Sequence, residues 1–239
     1  MLKGKKILVT RPANQAEKLC KLIEENRGIP IRLPTLEIIP IKISPCFPNP
    51  EEIDIAIWTS VNAVLYSKIF LSEIKPTLQL AAVGKQTAQV LEKYGKILHP
   101  PQDFTSEGLL KMQLFQEVIN KRIALFSGVG GRETLFETLQ QRGAVIQKIE
   151  VYQRIIPTLK IPDDIEKIDY IVASSGETLE NLFIMLGNPA WLRDKPWVVM
   201  SERLAAFAKT RGISGRCVVA PQADDAGLLN ALITLASLT

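Results

Sequence analysis

Tyr152 is the residue in this chain best placed to move a proton. It stands with Arg154 among β-branched neighbours in the stretch GAVIQKIEVYQRIIP, residues 143–157. A phenol titrates near pH 10, so a tyrosine normally stays protonated at neutral pH and able to donate. A packed aromatic is the other reading of such a residue. Small polar groups recur where apolar runs give way to helical spacing: Thr10-Arg11, Thr59-Ser60, Gly84 with Thr87, Ser127-Gly128, Ser174-Ser175 and Ser201. Helix starts expose unpaired N–H groups and the positive end of the helix dipole, so they attract carboxylate or phosphate. Any one of these serines reads equally as a plain N-cap; several of them facing one cleft would grip a polyanion. Arg11 and Arg132 are each able to hold a carboxylate through two parallel hydrogen bonds, with a surface role as the alternative.

Other chemistries find little support. The chain has 1 His and 3 Cys without CxxC spacing, so neither a metal centre nor a Ser-His-Asp triad is expected. His99, before Pro100-Pro101, reads as a loop histidine. The run SGVGGRE at 127–133 has the glycines of a phosphate loop but lacks GKS/T and GxGxxG. A net charge of +4 suits an anionic ligand, but no Lys/Arg cluster with interleaved aromatics points to nucleic acid. There is no apolar run of about 18 residues and no long apolar segment behind the N-terminal lysines, so no membrane span and a cytoplasmic, monomeric protein are expected. No cofactor is expected.

The positioning elements follow from periodicity. KILVT at 6–10 reads as a buried parallel strand, and the apolar face Ala16, Leu19, Leu22, Ile23 as a helix, with Asn14 and Glu17 as a weak capping-box variant. Strands are expected at 53–59, 79–83, 96–99, 122–126, 168–173, 197–200 and 216–220, each followed by a helix. Ser60 is expected to cap a helix carrying Val64, Leu65 and Ile69. One helix should start near Ser106 and run through Leu114. Ser174 and Glu177 are placed as a capping box. Two proline-punctuated β-rich stretches, 29–43 and 143–157, interrupt this pattern. The second reads as two short strands, 144–149 and 151–156. The two stretches are expected to pair as a two-stranded ribbon, with Tyr152 at the mouth of a cleft between two lobes.

The βα units also repeat. Pro101-Gln102 followed by Ser106-Glu107-Gly108-Leu109-Leu110 resembles Pro221-Gln222 followed by Ala226-Gly227-Leu228-Leu229. Residues 81–95 resemble 198–212, 57–60 resemble 172–175, and the KILVTR unit resembles the RIALFS unit. The middle set runs from Ile53, Gln79 and Lys96 to Arg122. The outer set runs Ile168, Trp197, Arg216, with its fourth member at the N-terminus. The fold class expected is therefore α/β: two similar doubly wound parallel-sheet lobes joined by a two-stranded β-ribbon, the second lobe inserted in the first. The expected boundaries are 1–36 with 157–239 for the outer lobe, 40–150 for the inserted lobe, and 36–40 and 150–157 for the connectors. Such sheets bind ligands at the C-terminal ends of their strands.

Taken in order, VTRPANQAEKL, WTSVNAV, AAVGKQTA, SEGLL, GVGGRETLFETLQQRGA, VYQR, ASSGETLENL, VVMSERLAAFA and DAGLLNAL resemble the uroporphyrinogen-III synthase family over essentially the whole chain. The resemblance implies two α/β lobes with the active site between them and no metal or organic cofactor. The substrate it implies is hydroxymethylbilane, a linear tetrapyrrole bearing acetate and propionate groups. The implied reaction is loss of the terminal hydroxyl, inversion of ring D through a spiro intermediate, and closure to uroporphyrinogen III, a lyase reaction. Tyr152 would assist hydroxyl departure. Ser60, Thr87, Ser175 and Ser201 would line the cleft; from their own positions in the chain, Arg11, Ser106, Gly128, Arg132 and Ser174 are expected as further substrate contacts. Some relatives carry a Thr-Thr pair where this chain has Ser201-Glu202, which removes a hydroxyl at the second position. The pyrrole itself stabilises the cation left behind, so the protein's main task would be orientation.

Two other readings stay open at this level. A two-lobed, non-enzymatic sensor for an anionic small molecule needs no strong base or nucleophile, and none is evident. A nucleotide-dependent transferase would need the fingerprint that the 127–133 loop lacks.

Overall fold

A computed structural model describes residues 1–41, 48–131 and 133–238. In chain order the elements are β1 Lys6–Val9, α1 Ala13–Glu25, β2 Ile29–Arg32, β3 Glu37–Pro40, β4 Ile55–Trp58, α2 Val61–Tyr66, α3 Lys68–Leu71, β5 Gln79–Ala82, α4 Lys85–Leu91, β6 Ile97–Leu98, α5 Ser106–Lys111, α6 Gln113–Gln116, β7 Arg122–Gly128, α7 Thr134–Gln141, β8 Val145–Ile155, β9 Tyr170–Ala173, α8 Gly176–Met185, α9 Trp191–Asp194, β10 Trp197–Val199, α10 Glu202–Thr210, β11 Cys217–Val219 and α11 Asp225–Ser237. The chain divides into two compact units, one made of Met1–Ile38 with Ile155–Thr239, the other of Ile39–Arg154.

The first unit is built on a five-stranded sheet of order β11-β10-β9-β1-β2, every described pair parallel. Its central strands β1, β9 and β10 are short apolar runs buried on both faces, which requires helices on both sides. Strand alternation divides the core accordingly. Leu8, Ile171, Trp197 and Val199 pack with Leu179, Leu182, Leu204 and Ala208 of α8 and α10. Ile7, Val9, Tyr170 and Val198 pack with Leu19, Ile23, Leu228 and Leu232 of α1 and α11.

The second unit has a six-stranded sheet, β3-β8-β7-β4-β5-β6, with parallel pairing from β8 through β6. One face carries Ile57, Ala81, Ile123 and Leu125 against Leu109, Leu135 and Leu139 of α5 and α7. The other buries Trp58, stacked on Phe126 at 4.9 Å between ring centroids, with Phe70 closing the group. The buried indole N–H of Trp58 donates to Ser67 Oγ at 2.8 Å, which leaves no polar cost there.

The two sheets have one strand order. Reading outward from the centre, β9, β10, β11 on one side and β1, β2 on the other correspond to β4, β5, β6 and β7, β8. This is the correspondence of the sequence repeat, with the KILVTR unit at β1 and the RIALFS unit at β7.

Several local expectations are corrected. Val145–Ile155 form the single strand β8 where two short ones, 144–149 and 151–156, were expected, because the register shift at Ser127/Gly128 absorbs the irregularity without breaking the ladder. The 29–43 stretch does not act as one connector: β2 pairs with β1 in the first sheet, and β3 is the edge of the second sheet beside β8. Residues 42–43 lie outside the described residues. The expected ribbon is thus part of a sheet, since β8 also pairs with β7. The helix after Ser60 breaks at Ser67 into α2 and α3, leaving Leu65 and Ile69 exposed instead of in the core. The helix after Thr105 likewise breaks at Met112, so Leu114 belongs to α6. At α8 the capping box is Ser175 with Thr178, one residue beyond the expected Ser174–Glu177 pair. Ser175 has extended backbone and its Oγ accepts from Thr178 N at 3.1 Å, while Thr178 Oγ1 accepts from Ser175 N at 3.2 Å. No side chain caps α1, which starts after Pro12, so Asn14 and Glu17 form no box.

Candidate active site

In the second unit the chain runs outward from β4 to β6 and then returns to the other side of β4 as β7 and β8. The turns after β4 and β7 therefore diverge at this switch point and leave a crevice, the usual ligand position in an open parallel sheet. A cavity of about 360 Å³ lies there, lined by Thr59 and Ser60 after β4, Ser127 and Gly128 at the end of β7, and Tyr152 on β8. A larger cavity of about 520 Å³ lies at the opposite strand ends, around Leu78 and Lys96, and holds none of these turn hydroxyls.

Tyr152 reaches the cavity because of the irregularity in the β7–β8 ladder. Ser127 is opposite Glu150, but Gly128 is opposite Tyr152, so Val151 is the extra residue. Val129 N donates to Tyr152 O at 2.9 Å and closes the ladder beyond the bulge. The tyrosine is only 4% exposed. Its ring occupies the space a side chain at position 128 would need: a Cβ on Gly128 would lie 2.5 Å from Tyr152 Cζ. Tyr66 stacks on the same ring with 6.0 Å between centroids.

The Tyr152 hydroxyl lies 3.1 Å from Ser60 Oγ, and either oxygen can donate. Ser60 Oγ also accepts from Ala63 N at 3.1 Å as the N-cap of α2. With a lone pair used by the cap, the serine O–H is free to turn toward the phenol oxygen. The phenol proton is then available to a substrate, and the serine stabilises the charge left when that proton departs.

The remaining wall is polar and carries two cations, Lys148 and Arg154. Lys148 Nζ is bonded to Glu133 at 2.5 Å and Glu150 at 3.1 Å. The Glu133 hydrogen bond, against some desolvation, raises the lysine above its ordinary value, so it is charged at neutral pH. Arg154 also lines the cavity. Ser127 Oγ is buried and has no hydrogen-bond partner among the described residues, an arrangement that costs about 1–3 kcal/mol in a closed protein.

Of the residues singled out from sequence, Ser60, Ser106, Gly128 and Tyr152 line this one cavity. Thr87 is buried in the first turn of α4 and is not part of the lining. Arg132 lies outside the described residues. The others belong to the first unit. Ser175 caps α8 and Ser201 caps α10, its Oγ accepting from Leu204 N at 3.2 Å. Ser174 is half-buried beside them. Arg11 pairs with Asp225 at the start of α11, and its Nε is buried without a partner among the described residues. Sequence reading counted Ser127 only among the strand-end polar groups and passed over Lys148 and Tyr66. Lys148 and Glu150 alternate on the strand that carries Tyr152, a period-2 pattern that marks their common face.

A family model described as uroporphyrinogen-III synthase HemD matches residues 17–230. The chain belongs to the uroporphyrinogen-III synthase family. The uroporphyrinogen-III synthase of Escherichia coli (strain K12) is 31% identical over 247 aligned positions, which cover 95% of this chain and 99% of the relative. That of Salmonella typhimurium is 30% identical with the same coverage. Among solved structures, the uroporphyrinogen-III synthetase of Helicobacter pylori 26695 superposes with a TM-score of 0.63 at 14% identity, covering 97% of this chain and 99% of that one. A mutant uroporphyrinogen III synthase from the extremely thermophilic bacterium Thermus thermophilus gives 0.58 at 15% identity, covering 98% and 99%. At these identities the structural likeness is one of fold, and it matches the paired α/β units seen here.

Proposed function

We propose that this protein is an enzyme of tetrapyrrole biosynthesis that closes hydroxymethylbilane to uroporphyrinogen III, a dehydrating, lyase-type cyclisation with inversion of ring D. The observation that carries the reading is a buried phenol hydrogen-bonded to a helix-capping serine, in a crevice at the C-terminal strand ends, in a member of this family.

The proposed steps make use of that geometry. The phenol of Tyr152 donates its proton as the C–O bond of the terminal hydroxymethyl group breaks, and the oxygen leaves as water. The pyrrole nitrogen stabilises the cation, so a single weak acid suffices and no strong base is required. Ser60 donates to the phenolate oxygen while it carries charge. The substituted carbon of ring D attacks the cation, a spiro intermediate forms and rearranges, and the proton lost as ring D regains aromaticity returns to the phenolate. Unaided, the bilane closes without inversion, so the protein's larger contribution is the fold it imposes on the chain of rings. Helix starts and capping turns in both units, including those at Ser175 and Ser201, are the proposed holds for the substrate's carboxylates. Ser106 and Gly128 belong to the cavity wall, whereas Arg11, committed to Asp225, contributes through that pair.

Incubation with freshly generated hydroxymethylbilane tests the reading. The expected product after oxidation is the type III porphyrin, formed faster than buffer alone gives the type I isomer. Type I product at the buffer rate would reject it.

A further inference from the structure

The strand-end hydroxyls of this fold are nearly all committed to the protein itself. Thr10 Oγ1 donates to Val172 O at 2.8 Å and Thr59 Oγ1 to Phe126 O at 3.2 Å. Ser60, Ser175 and Ser201 each cap a helix. Ser127 is different. It is 4% exposed, lines the cavity that holds Tyr152, and is the one buried side-chain hydroxyl without a partner among the described residues. A buried hydroxyl is normally satisfied, so an orphan in the wall of a cavity marks a group kept for a ligand.

We infer that Ser127 is a substrate-binding residue whose hydroxyl donates a hydrogen bond to a side-chain carboxylate of the bound tetrapyrrole. The inference rests on the function proposed above.

The surroundings select the partner. Ser127 is opposite Glu150 in the ladder and Leu125 is opposite Lys148, so these four share one face of the sheet. Lys148 is already bonded to Glu133 and Glu150, which leaves no uncommitted ammonium there. Arg154 also lines the cavity, and Ser127 is the neutral donor at this corner. Leu135, in the first turn of α7, lines the same cavity, so the start of that helix lies near it. Gly131 lets the loop lie close over the end of β7, since a Cβ there would lie 3.3 Å from Gly128 O and 4.0 Å from Ser127 Cβ. The contact is present before and after ring closure, so it acts on binding and not on the chemical step.

The test compares wild type, Ser127→Ala and Ser127→Thr by turnover of hydroxymethylbilane and by fluorescence titration with uroporphyrin III. For Ser127→Ala, KM and the porphyrin Kd should rise about 10- to 100-fold, the usual factor for a hydrogen bond to a charged group. The value of kcat should stay within about twofold, and the melting temperature of the unliganded protein should not fall, because the lost group had no internal partner. Ser127→Thr should restore most of the affinity. With wild type active, unchanged KM and Kd in Ser127→Ala, or a lower melting temperature as the main effect, would overturn the inference. Wild type that binds uroporphyrin III through Ser127 yet does not close the bilane would keep the contact and sink the proposed activity. Wild type that neither binds nor turns over would sink both.

Discussion

Tyr152 depends on an absence one strand away. Gly128 is needed not for an unusual backbone angle but because the phenol fills the place of its side chain. Gly128→Ala should therefore displace the ring and separate its hydroxyl from Ser60. Overpacking of this kind costs about 1–3 kcal/mol. We expect lower thermal stability together with a loss of kcat comparable to removing the hydroxyl itself. A Gly128→Ala protein with wild-type kcat would mean that the position of the phenol does not matter. Sequence singled out Gly128 for the right place and a different reason, as a backbone contact to an anion. The difference arises because the ring–glycine contact crosses two strands through a register shift, and no local pattern announces such a shift.

Turns and caps show the same division between what is local and what is not. Thr105 and Asp224 cap α5 and α11, and each accepts from a glycine N–H three residues on, Gly108 and Gly227. In both, a side chain on that glycine would collide with a backbone carbonyl of the preceding loop, that of Asp103 or of Gln222. The resemblance between the two segments, visible in sequence as Pro-Gln followed by Gly-Leu-Leu, is thus a shared steric demand. Gly227→Ala, though a better helix former, should destabilise the protein by about 1–3 kcal/mol. A denaturant midpoint equal to or above wild type would show that the loop yields freely. Strands such as KILV were legible because burial on both faces writes a continuous apolar run. The breaks at Ser67 and Met112 were not, because the apolar spacing continues through them and only packing ends the helix. The capping box at Ser175 was misplaced by one residue because adjacent serines offer the same local chemistry.

Across the whole molecule, the common strand order of the two sheets was the most legible feature, since a cyclically shifted repeat of βα units leaves few topologies. Least legible was the bond between Ser60 and Tyr152, 92 positions apart, which exists only once β4 and β8 lie on either side of β7. The net charge is only +4 and the cavity's Lys148 is paired. Binding of a polycarboxylate through neutral donors and helix ends should respond mildly to salt. The KM for hydroxymethylbilane is expected to rise no more than about tenfold between low salt and about 0.5 M sodium chloride, and no single Arg→Ala change should abolish binding. A steeper rise, or complete loss on removing one arginine, would show that a concentrated cationic site had been missed.

The most direct measurement is the steady-state kinetics of Tyr152→Phe with isomer analysis of its product. The phenol helps most as the C–O bond breaks, so its removal should lower kcat while leaving KM within about twofold. General acid assistance is worth about 100- to 10,000-fold, and the pyrrole's own push places the expected loss at or below the lower figure. The product should remain type III, because ring inversion is set by the shape of the whole site. An unchanged kcat would reduce Tyr152 to packing, and a mainly type I product would make it a holder of ring D; either result would contradict its role as the proton donor.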